Sequence, residues 1–384
     1  MRYKLSQVFD LQMGKTPSRN NEAYWGGANK WISIADIGKA PKYISDTKEC
    51  ITDKGVSESG IKKVPKGTVI MSFKLSIGKT AITSEDMFTN EAIMAFIDKG
   101  VYPIDTNYFY HFCHGRDWTA GTNKAVMGLT LNKATLSAVE IDIPEIEQQR
   151  EIALKLDFID SLIVSRQEQL SKLDGLVKSR FIELFGDSAK NSMGWDTDTV
   201  IGICDDIYGG GTPSKSHPEY YENGDIPWVS SKDMKTDVLY DSQIKINQLG
   251  VNNSSAKMVP INSVIMVIRS GILKHTLPVA INAVPVTVNQ DLKVFIPSKR
   301  ILSVFLMCQF KMLEKDILSG VRAVTADNIE FDSLKKREII VPPMELQKQF
   351  AAFVEQTDKS KLAIQQSLEK LETLKKALMQ KYFG

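Results

Sequence analysis

The sequence contains an internal repeat in which a unit of about 200 residues occurs twice. The clearest marker is a Thr-Pro-Ser tripeptide at 16–18, which returns at 212–214, so that Thr212 follows Thr16 by 196 residues. Further pairs keep the same order at offsets between 195 and 199: Tyr24-Trp25 and Tyr220-Tyr221, Trp31 and Trp228, Asp36 and Asp233, Val69-Ile70-Met71 and Val264-Ile265-Met266, Asn90-Glu91 and Asn289-Gln290, Pro144 and Pro343, Leu170 and Leu368, Phe185-Gly186 and Phe383-Gly384. Chance identities do not keep this order over most of a chain, so two copies of one fold are predicted.

The first part of each repeat, residues 1–144 and 187–343, has the pattern of a mixed α/β domain. Short runs rich in β-branched residues, separated by Gly, Pro, Asn and Asp, predict strands. These runs are Trp31–Ile34, Thr68–Phe73, Ala92–Ile97 and Val139–Ile143, then Trp228–Ser230, Ser263–Ile268, Leu292–Ile296 and Glu338–Val341. One late helix is expected in each domain, near 106–115 and at 300–318, where apolar residues recur at helical spacing.

The second part of each repeat, 145–186 and 344–384, predicts one long helix. Residues 146–185 contain no proline and a single internal glycine, Gly175, and residues 345–383 contain neither. At 1.5 Å per residue each helix spans about 60 Å, and an apolar stripe of that length needs a partner. The partner that requires no second chain is the other helix, so we expect an antiparallel coiled coil and a pseudo-twofold relation between the two domains.

Composition excludes several classes of protein. The 384 residues include 48 Lys and Arg against 46 Asp and Glu, a net charge of +2. Such a chain does not hold nucleic acid or an anionic membrane by bulk charge alone. No stretch of 18 apolar residues predicts a membrane span, and four widely spaced cysteines form no CxxC pair. We therefore expect a cytoplasmic protein with reduced thiols.

Catalytic and cofactor motifs are incomplete in this sequence. Residues 341–344, Val-Pro-Pro-Met, lack the polar and aromatic residues of the loop with which adenine methyltransferases hold the target amine. Gly-Lys-Thr triplets begin at Gly14 and Gly78, but neither has the glycine five residues earlier that a phosphate-binding loop needs. The His-Phe-Cys-His run at 111–114 has no fourth ligand nearby. We expect no catalytic residue, no cofactor and no metal in the chain itself.

Two similar domains joined by a rod suit a target with two half-sites, and duplex DNA is the commonest such target. Because the domains differ in sequence, they should read two different half-sites. The sequence here resembles the specificity subunit of type I restriction-modification systems over essentially its whole length. The motifs that carry the resemblance are Gly14–Ser18 and Gly211–Ser214, Trp31 and Trp228, Ile143-Pro144-x-x-Glu147-Gln148-Gln149-x-x-Ile152, Val341-Pro342-Pro343-x-x-Leu346-Gln347-x-x-Phe350, and Leu184-Phe185-Gly186-Asp187. Leu346-Gln347 stands where the family usually has Glu-Gln.

The resemblance implies that 1–144 and 187–343 are target recognition domains, each reading one half of an asymmetric, bipartite double-stranded DNA target. The helices at 145–186 and 344–384 would set the gap and dock two methyltransferase subunits, which recruit the restriction subunits. The chain would be non-catalytic, with S-adenosylmethionine, ATP and magnesium bound by the partner subunits. The alternatives are a methyltransferase or nuclease-associated enzyme with its own recognition domains, and a structural coiled-coil adaptor.

Candidate DNA contacts are polar and basic residues in loops at matched positions, since base edges and phosphates are bound by such side chains. The candidates are Thr16, Ser18, Arg19, Lys74, Ser76, Lys79, Asn90 and Lys124 in the first repeat, and Thr212, Ser214, Lys215, Arg269, Ser270, Lys274, Asn289, Gln290 and Arg322 in the second. The Thr-Pro-Ser loop fits equally well as a turn that starts the domain. The segment that follows the central strand, 74–79 in the first repeat and 269–274 in the second, more strongly indicates DNA contact. Its position and length match between the two copies, whereas its side chains differ.

Two further groups of side chains receive a predicted place. Trp31 and Trp228 are expected in the core rather than against bases. The predicted subunit interface consists of helix residues Leu170, Leu173, Val177, Leu184, Leu368, Leu371, Leu374 and Leu378.

Residues 1–144 carry 18 basic and 15 acidic side chains and 187–343 carry 17 and 18, so neither domain is strongly basic. We expect modest DNA affinity without partner subunits.

Overall fold

The computed structural model describes residues 1–74, 76–118, 131–320, 322–323 and 327–384, and for 322, 323 and 327 it describes the backbone alone. The chain divides into two compact units. The first unit is Met1–Gln167 with Gln366–Gly384, and the second unit is Glu168–Gln365. Each unit therefore combines the globular part of one repeat with portions of both long helices.

The first unit is built on a five-stranded sheet of order β2-β9-β6-β7-β4, a three-stranded sheet of order β5-β3-β8 and the antiparallel pair β1-β10. The strands are β1 (Arg2–Lys4), β2 (Phe9–Met13), β3 (Trp25–Ile32), β4 (Tyr43–Ile44), β5 (Glu49–Ile51), β6 (Val69–Ser72), β7 (Thr80–Thr83), β8 (Phe88–Thr89), β9 (Ile93–Asp98) and β10 (Glu140–Asp142). The helices are α1 (Leu5–Val8), α2 (Ile34–Ile37), α3 (Asp53–Ser59), α4 (Thr106–Gly115), α5 (Lys133–Ala138) and α6 (Ile146–Phe185), which continues into the second unit.

The second unit repeats these sheets, with orders β12-β19-β16-β17-β14 and β15-β13-β18 and the pair β11-β22, and it also contains the antiparallel pair β20-β21. Its strands are β11 (Thr197–Thr199), β12 (Cys204–Gly209), β13 (Ile226–Val229), β14 (Val238–Leu239), β15 (Lys245–Ile246), β16 (Val264–Val267), β17 (Val279–Asn282), β18 (Thr287–Val288), β19 (Leu292–Pro297), β20 (Arg322–Ala323), β21 (Asp327–Asn328) and β22 (Glu338–Ile340). Its helices are α7 (Gln248–Asn252), α8 (Ser303–Met312), α9 (Glu314–Ser319), α10 (Phe331–Lys335) and α11 (Met344–Phe383), which continues into the first unit. The predicted duplication is confirmed.

Both faces of the five-stranded sheet in the first unit are buried. Met71 and Phe96 point into a core shared with α4, whereas their strand neighbours Ile70 and Ala95 point into a separate core on the other face. Successive side chains of a strand alternate between faces, so a sheet covered on both sides needs continuous apolar runs. This explains why β6 and β9 were recognisable as uninterrupted apolar segments.

Two predicted elements differ substantially from the structure, whereas the other predicted strands differ by one or two residues at an end. The predicted strand Trp31–Ile34 ends at Ile32, because the backbone N–H and hydroxyl of Ser33 both bond the Asp36 carboxylate, at 2.8 and 2.6 Å, and start α2. The predicted helix 300–318 begins at Ser303 and is interrupted at Leu313, where α8 ends and α9 begins. The second long helix, Met344–Phe383, agrees with the predicted range 344–384.

The two long helices pack antiparallel within each unit. In the first unit, Asp160 forms an ion pair with Lys375 at 2.6 Å, and Arg166 Nε donates to Ser367 Oγ at 3.3 Å. Residue numbers along α11 therefore decrease as those along α6 increase, which is the arrangement of an antiparallel pair. The second unit has the same sense, with an ion pair between Asp174 and Lys361 at 2.7 Å and ring contact between Phe181 and Phe350. None of the helices in the described ranges combines the length and the hydrophobicity that a membrane-spanning segment requires.

A buried glutamine fastens the start of each long helix to the sheet domain. Gln149 is fully buried, and its amide nitrogen donates to the carbonyls of Pro103 and Pro144 at 2.9 and 2.8 Å. Its amide oxygen accepts from the Asp105 N–H at 2.8 Å, just before α4. Both polar atoms of this side chain are therefore paired, through three hydrogen bonds, as burial requires.

Gln347 repeats this arrangement in the second unit. It is fully buried and bonds the carbonyls of Arg300 and Pro342 and the N–H of Leu302. The structural partner of Pro144 is therefore Pro342, 198 residues on, and the sequence pairing with Pro343 was wrong by one residue. When the repeats are aligned in this way, Leu346 corresponds to the exposed residue Gln148, and the two helix starts are equivalent.

Candidate nucleic-acid interface

The predicted DNA-contacting loops of each unit emerge at one end of its five-stranded sheet. In the first unit β2 and β6 end there, whereas β9, antiparallel to both, begins there. The loop after β2, the link from β6 to β7 and the segment before β9 must therefore lie side by side. In the second unit β12, β16 and β19 have the same pairing. We call this end of each sheet the loop end.

The Thr-Pro-Ser loop is fixed at the loop end by a buried tryptophan. Trp31 is 2% exposed and its indole nitrogen donates to the carbonyl of Lys15 at 3.0 Å. Trp228, 7% exposed, makes the same bond to the carbonyl of Gly211 at 2.9 Å. Both tryptophans lie in the core as predicted, and each also sets the backbone position of a candidate DNA-contacting loop.

A glycine lets the same loop lie directly on the neighbouring segment. A Cβ added to Gly14 would lie 2.2 Å from the carbonyl oxygens of Thr89 and Asn90, and one added to Gly210 would meet the Val288 oxygen at 1.9 Å. No other residue type fits at such a distance. Gly210, preceding the Gly-Thr-Pro-Ser segment, is therefore the counterpart of Gly14.

Side chains join these two segments as well. The Thr16 hydroxyl bonds the Glu91 carboxylate, and the Thr212 hydroxyl bonds the Gln290 side-chain oxygen. The candidates Thr16 and Asn90 in one unit, and Thr212, Asn289 and Gln290 in the other, are thus brought together. Glu91, the matched counterpart of Gln290, makes the corresponding contact in the first unit.

Arg19 follows this loop but its terminal nitrogens are already occupied. They donate to both oxygens of Glu49, at 2.5 and 3.0 Å, and the guanidinium lies 3.9 Å from the ring centroid of Trp25. The hydrogen bond to Glu49 raises the pKa of Arg19 and lowers the pKa of Glu49. The preceding residue, Ser18, is exposed, and its carbonyl accepts from the Trp25 indole at 3.2 Å.

The link between β6 and β7 places three candidates at the loop end of the first unit. Ser76 and Lys79 are exposed, and Lys74 is half-buried, with its ammonium 5.3 Å from the ring centroid of Phe73. Ser72 closes this link by bonding the Ser76 carbonyl and accepting from the Lys79 N–H. These bonds hold Ser76 and Lys79 against the end of β6, so the described part of the link presents Lys74 and Lys79 at the loop end.

The matching link in the second unit carries a buttressed arginine. Arg269 Nε donates to Asp291 Oδ1 at 2.7 Å, and Ser270 accepts from the Ile272 N–H to start a short 3₁₀ turn that ends at Lys274. The hairpin β20–β21 continues this surface, because Asn328 pairs with the backbone of Arg269.

Four candidates have a less central or undescribed place. Arg322 lies in β20, where its backbone pairs with Asn328. Lys124 lies outside the described residues. Ser214 and Lys215 are exposed beyond the Thr-Pro-Ser turn, with the Ser214 hydroxyl 2.6 Å from that of Ser216.

The predicted subunit-interface residues serve the packing of the chain itself in most cases. Leu368 is buried, Val177 and Leu184 pack on the core of the second unit, and Leu378 packs on the core of the first. Leu170, Leu173 and Leu371 are half-buried, and Leu374 is exposed. Sequence periodicity finds the stripe between the helices, but it does not distinguish that stripe from an outer apolar surface.

That outer surface exists and was missed. Leu154 and Phe158, one turn apart on α6 in the first unit, are 69% and 64% exposed. Large apolar side chains are also exposed on the helices at Val164, Leu176, Ile182 and Leu362. Leu154 and Phe158 have the spacing of neighbours on one helix face, so they form a contiguous apolar patch.

The His-Phe-Cys-His run lies on α4 and packs against α6. His111 Nε2 is 2.8 Å from Asp157 Oδ1, which also binds the Lys42 ammonium at 2.5 Å. Burial lowers the pKa of His111 and raises the pKa of Cys113. Among the described residues, no group of three or more His, Cys, Asp or Glu side chains could hold a metal ion. The run is part of the helix packing.

Comparison with known proteins agrees with this arrangement. The family model described as type I restriction modification DNA specificity domain matches residues 1–173 and 193–375. The MjaIX specificity subunit of Methanocaldococcus jannaschii is 26% identical over 400 residues, covering 98% of this chain and 91% of that protein. The EcoR124I/EcoR124II specificity subunit of Escherichia coli is 38% identical over 148 residues, which is 38% of this chain and 36% of that protein.

Solved structures share the fold. The type I restriction-modification S subunit from M. genitalium is 14% identical with a TM-score of 0.59, covering 100% of this chain and 96% of that one. A chain of a type I R-M system, solved for its complex assembly and conformational transition, is 18% identical with a TM-score of 0.61 and covers 100% and 97%. Because the family model matches both repeats, the chain belongs to the type I restriction-modification specificity subunits.

Proposed function

We propose that this specificity subunit reads an asymmetric DNA target in two halves, one with the loop end of each sheet. The observation that carries the proposal is the contrast between scaffold and side chains. The strand order is the same in both units, whereas the loop-end residues differ at matched positions, such as Glu91 against Gln290 and Lys74 against Arg269. A shared scaffold with different polar side chains suits two different base sequences.

The charge distribution supports sequence choice rather than tight holding of the duplex. The loop ends are not basic clusters, and Asp291, Glu49 and Glu91 lie among their basic residues. Because phosphate contacts provide most of the non-specific affinity for DNA, partner subunits would supply much of the holding. The chain alone should therefore bind DNA weakly and with a shallow dependence on salt.

The outer apolar surface of the long helices supports a docking role. Leu154 and Phe158 form an exposed patch of the kind that marks protein–protein contacts. We assign this surface to two methyltransferase subunits, which in turn carry the restriction subunits. The 40-residue helices α6 and α11 would also set the unspecified gap in the DNA target.

In this proposal the chain performs no chemistry of its own. S-adenosylmethionine, ATP and magnesium belong to the partner subunits, and the complex works in the cytoplasm, where the four free cysteines stay reduced. The competing assignments, an enzyme with built-in recognition domains and a structural coiled-coil adaptor, have no described feature that favours them.

The test is to express the chain with and without its methyltransferase partners and to sequence modified bases across the host genome. We expect modification only with the partners, in one motif made of two unlike halves separated by unspecified bases. Modification by the chain alone, or a palindromic motif, would refute the proposal. An adaptor would leave the motif unchanged when this chain is replaced by another specificity subunit.

A further inference from the structure

We propose that Arg269, held in place by Asp291, selects a guanine through the major groove of the half-site read by the second unit. The inference rests on the proposed function and adds a named reader, a named positioning residue and the base that they recognise. It is carried by the geometry of the second unit and by its comparison with the first.

The Asp291 carboxylate is held from both sides. Its Oδ1 atom accepts from Arg269 Nε at 2.7 Å, and its Oδ2 atom accepts from the side-chain amide of Asn289 at 3.2 Å. Asn289 is only 7% exposed and also accepts from the Asp291 N–H at 3.1 Å. A buried side chain thus orients the carboxylate, and the carboxylate orients the arginine.

The contact through Nε leaves the outer edge of the guanidinium available. Among the described residues, Nη1 and Nη2 of Arg269 have no hydrogen-bond partner, and 48% of the side chain is exposed. Two parallel N–H donors on that edge match the O6 and N7 acceptors of guanine, the commonest specific contact of arginine with DNA. Fixing the side chain before binding reduces the entropy lost on contact.

The carboxylate also argues against a simple phosphate contact. Asp291 offsets the positive charge of Arg269, and an anion beside the guanidinium repels phosphate. A neutral base edge does not suffer this repulsion. The pair is therefore better suited to choosing a base than to holding the backbone.

The first unit has the same backbone frame without the pair. The Phe73 N–H bonds the Ala92 carbonyl at 3.0 Å, as the Ile268 N–H bonds the Asp291 carbonyl at 2.9 Å. Asn90 accepts from the Ala92 N–H at 3.0 Å, as Asn289 does from Asp291.

Only the side chains differ, and they differ together. Lys74 accompanies Ala92 in the first unit, and Arg269 accompanies Asp291 in the second. An ion pair that the fold required would be needed in both copies. The paired difference therefore reflects the DNA that each unit reads.

Arg19 shows the opposite arrangement. Its outer edge is taken by both oxygens of Glu49 and its face by Trp25. Of these two arginines at the loop ends, Arg269 is the one that presents an unoccupied pair of terminal donors to the described surroundings.

The test uses the complex with its partner subunits and a target motif already defined by sequencing of modified bases. The half-site of the second unit is the half that stays unchanged when residues 1–144 are exchanged. Arg269→Lys keeps the charge but removes the forked donors. We expect a guanine in that half to lose its advantage over other bases by about 10- to 100-fold in competition binding, while the other half is read as before.

Asp291→Ala tests the positioning residue. With Arg269 present but unbuttressed, we expect weaker discrimination at the same guanine and tighter binding to unrelated DNA, because a negative charge is removed. A merely structural role would not weaken discrimination at this one guanine while the other half is read as before. The reciprocal exchange, Lys74→Arg with Ala92→Asp, should create a guanine preference in the half read by the first unit.

Arg300→Lys is the matched control. Arg300 pairs with Asp198 at 2.6 Å and is 55% exposed, so it resembles Arg269, but it follows the opposite end of β19. Both halves should be read normally in this variant. The inference is overturned if the second half-site has no guanine, if Arg269→Lys leaves its discrimination intact, or if that variant weakens binding to all sequences equally. A target without two unlike halves would instead refute the proposed function.

Discussion

Replacing Gln149 by methionine should loosen the first unit at the point where α6 meets the sheet domain. Methionine fills a similar volume but makes none of the three hydrogen bonds that this side chain makes to backbone groups at Pro103, Asp105 and Pro144. Each backbone group left unpaired in a buried site costs about 1 kcal/mol or more. Three groups give a loss of about 3 kcal/mol, which corresponds to roughly a 100-fold larger population of the open state.

Hydrogen exchange followed by mass spectrometry measures this population locally. Peptides covering 100–118 and 146–156 should exchange about 100-fold faster in Gln149→Met, since exchange follows the free energy of local opening. Gln148→Met is the matched control, because Gln148 is the next residue on the same helix and is exposed. Equal exchange in the two variants would refute the reasoning, as would an equal acceleration around Gln347 in the second unit.

Three further perturbations have defined outcomes. Gly14→Ala should lower the free energy of unfolding by about 1–3 kcal/mol and abolish reading of one half-site, because its Cβ overlaps backbone atoms, whereas Gly175→Ala, on α6 with open space around it, should cause neither loss. Burial lowers the folded-state pKa of His111, so stability in urea should fall as pH drops below about 6.5, and this fall should shrink in His111→Gln. Serine at both Leu154 and Phe158 should prevent co-purification of a methyltransferase subunit while thermal unfolding stays unchanged, since both side chains are exposed.

The sequence predicts the long helices because they lack proline and carry apolar residues at helical spacing, and it predicts the duplication because matching residues recur in the same order. Uninterrupted apolar runs identify β6 and β9, and the absence of proline identifies α6. The error at Ser33 has a physical reason of the same kind. Alternating apolar residues favour a strand, but a serine followed three residues later by an aspartate forms a helix cap, and the cap prevails.

Contacts between distant residues are the part that sequence does not predict. Nothing near Gln149 indicates that it is buried, because two of its three partners, Pro103 and Asp105, lie about 45 residues earlier. In the same way, no local sequence pattern predicts the pairing of Arg19 with Glu49, which are 30 residues apart. The pairing of Arg269 with Asp291 did have a signal, since the two copies of the repeat differ at both positions at once.

We propose that each unit reads one half of the target independently. The direct measurement is to exchange residues 1–144 for the matching segment of a relative with a different target, and to sequence modified bases in cells that also express the partner subunits. We expect a hybrid motif in which one half is new, the other half is unchanged and the gap is the same. A change in both halves, or in neither, would contradict it.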